Sequence, residues 1–134
     1  MRLSKMKMIT GCCVLLLAGL LISPAISYSD EIEIDVAPNV LNIQSSGTVV
    51  TVHTDIAYWT VVGSTVLLND VEIQSWKADN RGNFVAKFFM DAIKDLPLEI
   101  GEYNILKLKG FDTGGQLFEG EQAIKVIEVI PAGR

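Results

Sequence analysis

Glu31-Ile32-Glu33-Ile34-Asp35-Val36 alternates acidic and aliphatic residues without a break. Successive side chains of a strand point to opposite faces. This period of two therefore predicts a strand with Ile32, Ile34 and Val36 turned inward. Glu31, Glu33 and Asp35 then face outward, where charge protects a sheet edge from adding a further strand. Pro38-Asn39 punctuates the segment, Val40-Leu41-Asn42-Ile43 continues it at the edge, and Ser45-Ser46-Gly47 turns the chain.

The same grammar runs on downstream. Residues 48–54 are rich in β-branched side chains, which suit a half-buried pleated surface. Val50 and Val52 should face the core, and Val49, Thr51 and His53 the other side. Residues 59–62 and 64–68 read as short strands around Gly63, and Asn69-Asp70 turns into a strand over 71–76. Asp79-Asn80-Arg81-Gly82-Asn83 is the strongest turn signal. It joins that strand to Phe84-Val85-Ala86-Lys87-Phe88 as a hairpin, with Phe84 and Phe88 in the core.

Residues 91–96, before Pro97, are the one helical stretch expected. Leu106 and Leu108 then alternate with Lys107 and Lys109, Asp112-Thr113-Gly114-Gly115 turns the chain, and residues 122–130 form a long last strand. Ile124 and Val126 share one side of it and Ile127 and Val129 the other, so a bulge or burial on both faces is expected there. About seven short strands spaced by turns, with almost no helix, predict an all-β antiparallel sandwich.

Upstream of the first strand the character changes. Arg2, Lys5 and Lys7 precede a largely apolar run over 8–22, then Pro24 and the small-residue exit Ala25-Ile26-Ser27. This is the pattern of a cleavable signal peptide over 1–27, followed by one domain over 28–134. The apolar run is shorter than the ~20 residues of a spanning helix, so no membrane span is expected after cleavage. Ile9-Thr10-Gly11-Cys12 imitates a lipoprotein box, but Val14-Leu15-Leu16-Leu17 follows it, which is the wrong order. The expected location is periplasmic or extracellular.

Cleavage removes three of the 11 basic residues and none of the 16 acidic ones, leaving 8 against 16 and a net charge of −8. Such an acidic surface does not suit nucleic acid. Cys12 and Cys13 leave with the leader, so the domain has no thiol for a disulfide, a nucleophile or a metal.

Ile34-Asp35-Val36-Ala37-Pro38-Asn39-Val40-Leu41-Asn42, followed by Ser46-Gly47, resembles the opening of secreted bacterial immunoglobulin-like β-sandwich modules. Leu106-Lys107-Leu108-Lys109-Gly110, Phe118-Glu119-Gly120 and Ile124-Lys125-Val126-Ile127 resemble their closing strands. The resemblance implies an immunoglobulin-like fold and export, with no defined activity. Related modules carry an Asp-rich loop suggestive of calcium, whereas here Lys77 and Arg81 stand among the would-be ligands. The tyrosine corner of immunoglobulin domains is a poor match: Tyr103 and Ile105 share the parity of Lys107 and Lys109, opposite to Leu106 and Leu108.

His53 is the single histidine, mid-strand and outward, which leaves no triad and no histidine-ligated metal to build. No enzyme and no cofactor is expected. Asp79, Asn80, Asn83 and Asp112 are the hard oxygen donors for calcium, but they are also ordinary turn residues. The ligand-binding candidates are the aromatics Tyr58, Trp59 and Trp76, with Glu72 and Gln74 expected on the outward face beside Trp76. The expected function is a non-enzymatic binding or structural module whose partner is another envelope protein. A small carbohydrate-binding module is the alternative, with a polysaccharide as ligand.

Overall fold

The computed structural model describes residues 29–130. The expected leader over 1–27, with both cysteines, lies outside the described residues. The strands are β1 (Asp30–Glu31), β2 (Ile34–Ala37), β3 (Val40–Asn42), β4 (Val49–Ala57), β5 (Leu67–Leu68), β6 (Val71–Glu72), β7 (Ser75–Ala78), β8 (Asn83–Phe89), β9 (Tyr103–Phe111) and β10 (Leu117–Ile127). One short helix, α1 (Met90–Lys94), follows β8.

The fold is all-β, in two sheets. One has the order β2-β4-β8-β7; the other runs β1-β10-β9-β5-β6, with β3 also on β10. β2 pairs antiparallel with β4, whereas β3 pairs parallel with β10. The chain thus changes sheets between them, at the cis Ala37–Pro38 peptide. Gln122 ties the two layers where they separate: its side-chain oxygen accepts a 2.6 Å hydrogen bond from the Val36 N–H.

One core lies between the sheets. Val36, Val50, Val52, Phe84, Ala86 and Phe88 enter from one side and Leu68, Leu106, Leu108, Phe118, Ile124 and Val126 from the other. These are the alternate positions of each strand, so the period of two sorts the side chains as expected. Val85 is fully buried as well, yet its parity turns it outward, between His53 and Lys77 of the flanking strands.

Four expectations change. The strand expected over 31–36 breaks at Ile32-Glu33: β1 ends at Glu31 and pairs parallel with β10, whereas β2 begins at Ile34 and pairs with β4 in the other sheet. Residues 59–62 and 64–68 are not strands throughout: 3₁₀ turns occupy Tyr58–Thr60 and Gly63–Thr65, leaving one bridge at Val61 and the two-residue β5. The expected strand over 71–76 is two strands in different sheets, because β6 pairs with β5 and β7 with β8. The last strand neither bulges nor buries both faces; it keeps one phase and ends at Ile127, before exposed Val129.

Tyr103 is 70% exposed on an unbroken β9. The corner is pinned by its neighbour instead. The Asn104 side chain accepts from the Glu99 N–H at 2.8 Å and donates to the Glu99 and Glu102 carbonyls at 3.0 Å each.

Candidate functional site at the loop end

Two hairpin turns, one from each sheet, are built on the same plan. In Asp79-Asn80-Arg81-Gly82-Asn83, the Arg81 and Asn83 N–H groups donate to Asp79 Oδ1 at 2.8 and 2.9 Å. In Asp112-Thr113-Gly114-Gly115-Gln116, Gly114 and Gln116 donate to Asp112 Oδ1 at 2.9 and 2.8 Å. Gly82 and Gly115 both sit at φ +83°, in the left-handed region that glycine enters without steric cost, and each donates to its aspartate carbonyl at 3.0 Å. The Asp-x-x-Gly spacing therefore specifies the turn chemically.

The same bonds bear on the calcium candidates. One carboxylate oxygen of Asp79 and one of Asp112 hold backbone amides, and donation from Asn83 and then Arg81 holds the Asp79 carboxyl below its ordinary value. Asn80 is an exposed turn residue, and Asn83 begins β8. Among the described residues, no group of three or more His, Asp or Glu side chains is arranged to hold a metal.

The segment from β4 to β5 binds both turns. The Tyr58 N–H donates to the Gly82 carbonyl at 2.8 Å; the Thr113 N–H donates to the Thr60 carbonyl at 2.9 Å; the Val62 N–H donates to the Phe111 carbonyl at 3.0 Å. Tyr58 is half-buried, with its ring stacked 6.3 Å from Phe84 in the core. Trp59 meets the Tyr58 ring edge-on at 6.0 Å and is 72% exposed. A flat indole is thus held where three loops meet, with its edge over Gly82 of the Asp79 turn.

Trp76 stands elsewhere in this arrangement. Opposite Ala86 on the edge strand β7, it turns toward the inter-sheet side, and its indole lies on the backbone at Gly63. It keeps 40% exposure as it closes the sheet edge. Glu72 is on β6 in the other sheet, and Gln74 lies between the two strands. The five sequence candidates therefore divide: Tyr58 and Trp59 come together, while Trp76, Gln74 and Glu72 do not share a face with them. Sequence reasoning missed Phe111, 45% exposed at the end of β9, and the identity of the two turns. The signal for the latter was the repeated Asp-x-x-Gly spacing.

A groove of about 450 Å³ runs over the outer face of the four-stranded sheet. It is lined by His53 with Asp35, Asp55, Asp79, Arg81 and Asn83 among others. Among the described residues, no helix is long and apolar enough to cross a membrane. No protein-family model, curated protein or solved structure matches the chain.

Proposed function

We propose that this chain is an exported, non-enzymatic binding module with an immunoglobulin-like β-sandwich fold, and that its binding surface is the loop end around Trp59. The strand orders β2-β4-β8-β7 and β10-β9-β5 support the fold, since they follow the two-sheet arrangement of immunoglobulin domains. The likeness of the opening and closing segments to secreted bacterial modules supports the same reading, and the leader pattern supports export.

The observation that carries the binding role is the contrast between Tyr58 and Trp59. Tyr58 anchors the turn to Phe84, and that anchoring presents the next ring to solvent. An exposed indole on a rigid base contributes contact area with little loss of side-chain entropy, which is why such residues dominate binding hot spots. The leading partner is another envelope protein. A sugar is the second reading, favoured by the exposure of the Trp59 indole, on which a sugar ring can stack.

A photo-crosslinking residue in place of Trp59, combined with a glycan array, tests both. A discrete protein adduct formed at position 59 and absent from a probe at position 130 supports the envelope partner. Glycan binding lost in Trp59→Ala and kept in Trp76→Ala selects the sugar. Silence in both experiments overturns the loop-end surface.

A further inference from the structure

We infer that the outer face of the six-stranded sheet is a self-association surface that takes a second copy of this chain, with the two-fold axis running along the strands between β9 and β10. The face carries large exposed apolar side chains on either side of a charged centre. Tyr103, Ile105 and Phe111 all point outward from β9 and are 70%, 54% and 45% exposed. Several large side chains aligned on one sheet face form a patch of the kind that marks interaction surfaces.

The charges on this face say what covers it. The register places Lys107 opposite Glu121 and Lys109 opposite Glu119. At the two ends of the ladder, Phe111 stands opposite Leu117 and Tyr103 opposite Lys125. Lys107 Nζ lies 3.7 Å from both glutamates, and Lys125 Nζ sits 5.1 Å from the Tyr103 ring centroid. Lysines thus occupy the centre of one column and glutamates the centre of its neighbour.

A rotation of 180° about an axis parallel to the strands, between these columns, exchanges them. Each β9 residue then faces the β10 residue it already neighbours, but in the other copy. Lysine meets glutamate twice on each side of the axis, Phe111 meets Leu117, and the Tyr103 ring meets the Lys125 ammonium. The competing face-to-face axis, across the strands, sets lysine on lysine and glutamate on glutamate, which charge repulsion opposes. Facing sheets keep their strands within about 30° of one another, which both axes satisfy, so the charges decide between them. The contact is isologous and closes at two copies.

The test is sedimentation velocity on the purified chain, on Lys107→Glu, on Glu121→Lys, and on an equimolar mixture of the two variants. In either variant alone, like charges meet across the axis. In the mixture, the new carboxylate at position 107 of one chain faces the new ammonium at position 121 of the other. The unaltered Glu121 and Lys107 face each other on the far side of the axis, so both pairs are restored. The expected result is a concentration-dependent dimer for the unaltered chain, monomers for each variant, and a dimer again on mixing. The pair Lys109→Glu and Glu119→Lys gives the same readout if the first pair disturbs folding. A chain that stays monomeric at every concentration, variants that still dimerise, or a mixture that stays monomeric would each overturn the inference.

Discussion

The hydroxyl of Thr54 donates a 2.6 Å hydrogen bond to the main-chain carbonyl of Phe84, inside the protein and at the point where two strands slip register. Asn83 of β8 pairs with Ala57 of β4, but Val85 pairs with His53, so three residues of β4 stand against Phe84 alone. The ladder cannot serve that carbonyl regularly, and a side chain does so instead. The bulge lies directly below Tyr58 and Trp59, so Thr54 also sets the platform on which the loop end rests.

Thr54→Val keeps the shape and removes the donor. It should lower stability by about 1–3 kcal/mol, the cost of leaving a buried polar group without its partner. Thr54→Ser keeps the donor and should stay closer to the unaltered protein. Urea midpoints of the three proteins check this, and equal midpoints for Val and Ser would refute it.

Phe84 and Phe88 are both fully buried on the inner face of β8. Truncation of either to Ala should cost about 3–5 kcal/mol, combining lost transfer energy with a cavity. A loss under ~1 kcal/mol at both sites would contradict the core assignment.

Much of this was legible from alternation alone: Val50-Val52 and Leu106-Leu108 each announce a buried face and deliver it. Ile32, Ile34 and Val36 also pack on the core, but across a break between two sheets that their alternation does not mark. The split of residues 71–76 was not legible, for a definite reason. Val71, Ile73 and Ser75 are all half-buried, so accessibility alternates evenly through the change of sheet, although in β7 it is Trp76 and not Ser75 that turns inward. Residues 59–62 misled differently, since Trp and Val favour strands in general while local backbone bonds close 3₁₀ turns here. At the candidate site the aromatic residue types were visible, but which indole stays exposed depends on Gly63, remote in sequence from Trp76.

Gly63 is buried beneath that indole, and a Cβ there would overlap the ring of Trp76. Gly63→Ala should destabilise the fold by about 1–3 kcal/mol through overpacking. In a Trp76→Ala background the same substitution should cost far less, since the clashing ring is gone. Thermal unfolding of the double-mutant cycle measures the coupling, and additive losses would show that the contact does not matter.

Asp79 makes stability depend on pH. Backbone donation from Asn83, then Arg81, lowers its folded pKa below the ordinary 3.8. A carboxyl whose folded pKa is depressed contributes fully above its unfolded value and loses that contribution as pH falls through the folded one. Asp79→Ala should therefore melt below the unaltered protein at neutral pH, with the gap closing as the pH drops under about 3.8. A gap that is constant from pH 7 to pH 2 would mean that the carboxylate charge is not what holds the turn.

The twin aspartate turns separate two jobs that loops usually mix. An aspartate and a glycine dictate the path of each loop through bonds to the main chain. Arg81 enters those bonds only through its main-chain N–H, and the side chains of Asn80 and Thr113 take no part in them. The side chains of Asn80, Arg81 and Thr113 are positions at which a lineage, or a library, can try new surface chemistry at the loop end that carries Trp59 without redesigning the scaffold.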